Sequence, residues 1–370
     1  MIRVLQVLPR LRRGGSQAFV MNLYRNIDRT KVQFDFIIFT NDRDDYYDEI
    51  YSLGGKVYHF EKFNGKNYFR IRKSFNSFLE NHPEYDIIHI HVYSTASIYL
   101  PIAKKHGLKT IIHSHSTSNG NGFLSLIKNI MQLPLRKEAD YLFACSTDAG
   151  KWLFGKKAIH KQNYRFIPNG IDLKCFNYDP YARDDLRKKL GVSDNFVVGH
   201  VGGFETPKNH PFIIKVFKKL YEVNQNARLL LVGDGTYEES IKRMVKEYDL
   251  DKAVIFAGLQ SNVAPFLFAM DVFFFPSLWE GLPVSVVEAQ ASGLPCILSS
   301  SITKDVAITD LVLYSDLKAD ISNWVHELAK FSERKRATLS KFNFESISTF
   351  DIANVSLNLV SFYLSLHDKK

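Results

Sequence analysis

Short runs rich in β-branched and aromatic residues alternate with stretches of helical spacing along most of the chain. Residues 3–8, 34–40, 56–60, 87–91, 110–113 and 141–145 predict one series of strands. A second series is predicted at 196–201, 228–232, 254–256, 272–276 and 295–299. Apolar residues recur at helical spacing in 16–26, 68–81, 209–223 and 237–248. Such alternation implies parallel sheets with crossover helices, an α/β architecture. The strands read as near-continuous apolar runs, as expected of sheets covered on both faces. The series pauses once, at 167–172, where Pro168 and Gly170 signal a turn, and a polar stretch, 179–194, follows. The domain boundary is therefore expected near residue 172. In open parallel sheets, ligands bind beyond the carboxyl ends of the strands, so two doubly wound units are expected to share a cleft.

Composition narrows the class. The 370 residues are 45% hydrophobic and 24% charged, which excludes a disordered chain or a small disulfide-stapled scaffold. The formal charge is +9, and it is unevenly spread. Residues 1–172 carry 25 basic and 15 acidic side chains, whereas residues 173–370 carry 23 and 24. That asymmetry points to a polyanionic partner or an anionic membrane surface on the first half. Three scattered cysteines, Cys145, Cys175 and Cys296, argue for a reducing compartment. The first residues do not read as a signal peptide, and no stretch reaches about 18 uninterrupted apolar residues. Membrane contact, if it occurs, is expected to be peripheral, and the location cytoplasmic.

One stretch carries most of the chemical information. A predicted strand ends at Pro276, a loop holds Glu280 and Gly281, and a helix is expected from about Pro283. A helix start after a glycine-containing loop offers free N–H groups and the positive end of its dipole to an anion. Glu280 sits in that loop. Glu288 lies one to two turns into the helix, where a carboxylate suits hydrogen bonds from a diol. Two carboxylates flanking an anion site fit a phosphorylated sugar donor. A solvated loop glutamate and a helix-surface glutamate are the plain alternative.

The spacing of Glu280 and Glu288, within Glu-Gly-Leu-Pro-Val-x-x-Val-Glu-Ala, resembles the signature of retaining glycosyltransferase family 4, of GT-B fold. Gly14-Gly15, Ile167-Pro168-Asn169-Gly170-Ile171-Asp172, Lys208-Asn209-His210, Gly233-Asp234-Gly235 and Gln290-Ala291-Ser292-Gly293-Leu294-Pro295 match in the same order. So does Met270-Asp271-Val272-Phe273-Phe274-Phe275-Pro276-Ser277. The resemblance covers nearly the whole chain and is nearest to bacterial enzymes that build capsular or exopolysaccharide repeat units. It implies two Rossmann-like doubly wound domains facing each other. Residues 1–172 would bind the acceptor, joined by a returning C-terminal helix at about 352–370. Residues 173–351 would bind the nucleotide-sugar, expected to be a UDP-sugar. The acceptor is expected to be a lipid-linked saccharide at the inner face of a bacterial plasma membrane.

The resemblance also assigns roles. Glu280 corresponds to the glutamate that contacts donor-sugar hydroxyls, and Glu288 to the one that holds the ribose. Gly281, Leu282 and Pro283 correspond to the loop around the donor phosphates. Gly14, Gly15, Gly203 and Gly233 fall at the other donor-binding positions, and Lys208 at the lysine that holds the diphosphate. His115 corresponds to the histidine near the transferred sugar. The family site is metal-independent, so no metal or other cofactor is expected. His113 and His115 end one strand, and His89 and His91 repeat the pattern on the strand before. Each pair is read here as pointing to opposite strand faces, leaving one histidine for the ligand. A metal cluster is disfavoured because no cysteine or carboxylate accompanies the four at ligand spacing.

One departure matters. The family usually has an arginine where Gly203 stands, so one guanidinium contact with the diphosphate is missing. Arg12 or Arg13 would have to replace it, or donor binding would be weak. A non-catalytic nucleotide-sugar-binding partner subunit is therefore one alternative. A GT-B sugar-phosphate enzyme, an epimerase or a phosphorylase, is another. Asp42-Arg43-Asp44 has the form of a metal-binding Asp-x-Asp but lies in an acidic run and reads as a solvated loop. The cysteines read as core or loop thiols. Basic residues Lys62, Lys66, Arg70, Arg72 and Lys73 interleave with Phe63, Tyr68 and Phe69, and 123–131 is apolar. Basic and aromatic residues on amphipathic stretches favour an anionic bilayer surface. No nucleic-acid-binding motif is present, and nucleic acid is not an expected partner.

Overall fold

The computed structural model describes residues 1–12, 14–118, 123–332 and 347–367. The chain divides into two compact units, Met1–Gly170 with the segment from Thr349 onward, and Ile171–Ser348. In the first unit, β1 (Ile2–Val7), β2 (Val32–Ile38), β3 (Val57–His59), β4 (Tyr85–Ile90), β5 (Lys109–Ser114), β6 (Tyr141–Ala144) and β7 (Tyr164–Phe166) form one sheet. Its order is β3-β2-β1-β4-β5-β6-β7, and each neighbouring pair is parallel. In the second unit, β8 (Phe196–Val201), β9 (Ala227–Val232), β10 (Val254–Phe256), β11 (Val272–Phe275), β12 (Cys296–Ser299) and β13 (Val312–Ser315) run in the order β10-β9-β8-β11-β12-β13. These pairs are parallel too.

Both orders are doubly wound. Each turns back on itself once, between β1 and β4 and between β8 and β11. The carboxyl ends of those strands are where the fold class places ligands. The central strands are covered on both faces: all seven residues of β2 are buried, as are all four of β11. Two edge strands, β7 and β13, were not expected. Each is only three or four residues long and only partly buried, so neither shows a long apolar run.

Two aspartates, one buried and one partly buried, pin the strands. Asp35 on β2 accepts hydrogen bonds from Arg3 Nε and Nη2 of β1, both at 2.7 Å, from Tyr85 of β4 at 2.8 Å and from the Lys56 N–H at 2.7 Å. Asp271, just before β11, accepts from the Val197 N–H of β8 at 2.7 Å and from Arg183 at 2.6 Å. Charge-assisted bonds of this kind hold register as well as stability.

Helix Ile352–His367 belongs to the first unit. Its Val355, Leu359, Val360, Tyr363 and Leu366 are buried in the same cluster as Phe19, Tyr24, Phe34 and Phe36. His367 Nδ1 lies 2.8 Å from Asp86. Residues 352–366 thus complete the core that β1 and β2 start.

Candidate active site

In the second unit, the segment after β8 passes through Gly202 and Gly203 to the turn Thr206–Lys208. Asn209 follows in the left-handed region, at φ 57°, and then helix His210–Val223 begins. This turn is tied to the loop after β11. The Leu278 N–H donates to Pro207 O at 2.8 Å, and Asn209 Nδ2 to Pro276 O at 3.1 Å. The two tethers bring together side chains 72 positions apart: Lys208 Nζ lies 2.6 Å from Glu280 Oε1. The lysine also sits 4.9 Å from the centre of the Phe275 ring. Both partners keep some exposure, 21% for the lysine and 15% for the glutamate, so this is a half-sheltered ion pair. Sequence reasoning named both residues but not their contact.

Gly281, Leu282 and Pro283 are buried and lead into helix Val284–Ala291. No side chain caps that helix, and its first turn holds no acid. Its positive end is therefore uncompensated by its own residues. Glu288 lies on this helix, partly buried, and its carboxyl is pushed up to about 7 by burial. No charge or hydrogen bond among the described residues offsets that burial.

Gly233 has φ 141°, and a Cβ there would stand 2.3 Å from Gly202 O. The loops after β8 and β9 thus pack backbone against backbone. The Phe204 N–H donates to Asp234 O at 2.8 Å, and the Tyr237 N–H to Phe204 O at 3.0 Å. Gly203 differs. A Cβ there would meet nothing nearer than Asp234 O at 3.4 Å, an ordinary contact, so a side chain fits. His200 and His210, both buried, stand behind Lys208. Burial lowers His200 well below the usual histidine range and His210 to about 4.

In the first unit, Gly14 and Gly15 open helix Gly15–Asn26, which likewise has no side-chain cap and no acid in its first turn. A Cβ on Gly15 would meet nothing within 4 Å. Arg12 is exposed just before them; Arg13 lies outside the described residues. Asp42-Arg43-Asp44 is a loop clasp. Asp44 accepts from the Leu11 N–H at 3.0 Å, Asp42 from Thr40 Oγ1 at 2.6 Å, and Arg43 donates to Asp48 at 2.7 Å.

The histidines correct the sequence reading. Residues two apart on a strand share a face, because side chains alternate with period two. His113 and His115 accordingly stack at 4.0 Å, and His89 and His91 at 4.4 Å. All four form one group across β4 and β5. His91 Nδ1 lies 2.8 Å from His115 Nε2, and His89 Nε2 lies 3.2 Å from His113 Nδ1. Burial lowers His89, His91 and His113 well below the usual range and His115 to about 3, so the group is uncharged at neutral pH. Gln6 of β1 and Tyr363 of the last helix join it at 2.9 and 2.7 Å. Sequence reasoning missed both, since neither stands in a motif.

Comparisons with known proteins identify the family. Residues 13–174 match the family model described as Glycosyltransferase Family 4, and residues 182–336 match Glycosyl transferases group 1. EpsF of Bacillus subtilis (strain 168), named as a glycosyltransferase, is 37% identical over 337 residues, covering 89% of this chain and 87% of that protein. An Escherichia coli protein named UDP-Gal:alpha-D-GlcNAc-diphosphoundecaprenol alpha-1,3-galactosyltransferase is 30% identical over 229 residues, 59% of this chain and 58% of its own. The crystal structure of Anabaena HepE in complex with UDP has the same fold, with a TM-score of 0.80 and 16% identity, covering 99% of this chain and 100% of that one. The chain belongs to the family 4 glycosyltransferases of GT-B fold and resembles the enzymes of exopolysaccharide and capsule assembly.

Proposed function

We propose that this glycosyltransferase moves a hexose from a UDP-sugar, with retained anomeric configuration, to a lipid-linked saccharide in cell-surface polysaccharide synthesis. The observation that carries the reading is the Lys208–Glu280 pair at the carboxyl ends of β8 and β11, near the uncapped start of the helix that bears Glu288. Lys208 and the backbone N–H groups of 281, 284 and 285 hold the diphosphate, Glu288 takes the ribose diol, and Glu280 meets sugar hydroxyls. His115 is assigned to the transferred sugar. The bond from the anomeric carbon to the diphosphate oxygen breaks, the acceptor oxygen attacks the same face, and its proton passes to the departing diphosphate. Preorganised charge at the leaving group is the main catalytic contribution in this scheme. No metal or other cofactor is invoked.

The E. coli relative's name supports a diphospholipid acceptor, and the UDP complex of HepE supports the nucleotide. Helix Phe123–Gln132 supports peripheral attachment to an anionic bilayer. Its polar Ser125 and Gln132 are buried, whereas Leu126, Ile127 and Ile130 are exposed, as is Leu133 just beyond it. No described helix is long and apolar enough to cross a membrane. Incubation of the purified protein with radiolabelled UDP-sugars and a bacterial lipid extract tests the proposal. Label should enter the lipid phase from one donor, with retained configuration by NMR. No transfer from any UDP-sugar, alongside tight UDP binding, would favour the non-catalytic partner that Gly203 suggests.

A further inference from the structure

A diphosphate brings negative charge to the carboxyl edge of the second sheet, where few cations are at hand. The loops after β8, β9, β10, β11 and β12 span residues 202–209, 233–237, 257–263, 276–283 and 300–311. Between them they hold two lysines, Lys208 and Lys304, and no arginine. Lys208 is already neutralised by Glu280 at 2.6 Å. The arginine usual in the family is replaced by Gly203. Lys318, after the edge strand β13, lies one strand farther from the reversal of strand order. Lys304 is therefore the second positive side chain that this unit offers beside the reversal.

The loop that carries Lys304 is clasped to both acid-bearing segments. The Ser299 and Ser301 hydroxyls donate to Ser277 O, three residues before Glu280. On the other side, Gln290, from the helix that bears Glu288, donates from Nε2 to Val306 O at 2.8 Å. Its Oε1 accepts from the Ile308 and Thr309 N–H groups, both at 3.1 Å. Between these clasps Lys304 is exposed, and its Nζ rests 3.0 Å from the centre of the Tyr314 ring. The Tyr314 hydroxyl donates to Thr303 O at 3.1 Å, which holds the ring in place. Among the described residues no carboxylate pairs with Lys304. An ammonium on a flexible four-carbon stem, seated on a ring without a counter-ion, is free to turn to an anion. We infer that Lys304 binds the donor diphosphate and supplies the positive charge missing at Gly203. The inference rests on the donor reading given above for Lys208, Glu280 and Glu288.

The test compares UDP, by calorimetry, with uridine, which keeps the base and ribose but has no phosphate, by ligand-observed NMR. Lys304→Met should weaken UDP about tenfold, the equivalent of one charge-assisted hydrogen bond, and leave uridine unchanged. Lys304→Arg keeps the charge and should recover most of that loss. Added salt should weaken UDP binding to the parent more steeply than to Lys304→Met. Unchanged UDP affinity in Lys304→Met would overturn the inference. So would an equal loss for uridine, because the lysine would then act on the fold or the base. A loss shared in full by Lys304→Arg would overturn it too, since charge would not be the cause. Each of these outcomes leaves the donor reading in place, whereas a parent protein that binds no UDP would remove that reading and this inference with it.

Discussion

The two sheets offer different chemistry at equivalent places. At the carboxyl ends of β4 and β5, four imidazoles, an amide and a phenol share hydrogen bonds, and burial keeps the histidines neutral. At the ends of β8 and β11 stand an ammonium, its carboxylate partner and an uncapped helix start. Neutral directional groups discriminate hydroxyl patterns, because an unmatched polar group is expensive. Fixed charge stabilises a leaving group whose own charge grows. One doubly wound topology thus supports both kinds of site, and the difference lies in a few side chains at the strand ends.

The sharpest way to break this contrast is Glu280→Gln. If the charged cluster acts on the transferred sugar, turnover should fall on the order of 10²–10³-fold. UDP affinity should hold, because Lys208 loses only a competing partner. Parallel losses in kcat and UDP binding would make Glu280 a nucleotide contact. Next in size is Glu288→Ala, with an expected 10- to 150-fold loss of UDP affinity by calorimetry, about 1.5–3 kcal/mol for a hydrogen bond to a charged group.

The same carboxyl gives a pH test. Its folded value, about 7, lies above the ordinary 4.5, so the fold favours the protonated form. The resulting cost is absent below about pH 4.5, grows between 4.5 and 7, and stays constant above. Glu288→Gln should therefore be more stable than the parent at pH 8, on the order of 2–3 kcal/mol in urea unfolding, with the gap closing near pH 4.5. A pH-independent gap would mean that burial does not govern this group.

Gly203→Arg should tighten UDP about tenfold, since a charge-assisted bond to phosphate is added where a side chain fits. A stable variant with unchanged affinity would mean that the phosphates are held elsewhere. The smallest effect concerns membranes. Leu126→Ser with Ile130→Ser should weaken cosedimentation with anionic vesicles several-fold and leave UDP affinity untouched, and salt should weaken the parent's binding. Equal binding to neutral and anionic vesicles would remove the electrostatic contribution.

Much of this was legible in the chain. The interior strands announced themselves because they are mostly apolar runs, with β11 apolar on both faces. The edge strands β7 and β13 did not, being too short to form a run. Glu280, Glu288 and Lys208 stood out by motif, yet the Lys208–Glu280 contact depends on two backbone tethers between distant loops that no local pattern encodes. The histidines were visible as residues, but their shared face was misjudged. Gln6 and Tyr363 resemble any polar residue in a strand and any aromatic residue in a helix until the fold brings them together from sequence positions 6 and 363.

The returning helix has a consequence for biosynthesis. Ribosomes deliver the chain from one end, and the first sheet is finished early in translation. Its core still lacks Val355, Leu359 and Tyr363, which emerge only after the second unit. The second unit, whose core residues lie between Phe196 and Phe331, is complete well before then. During synthesis the later unit should therefore reach its native packing first, while the earlier one waits with Phe34 and Phe36 incompletely covered. A nascent chain stalled just before residue 350 would be the species most in need of a chaperone.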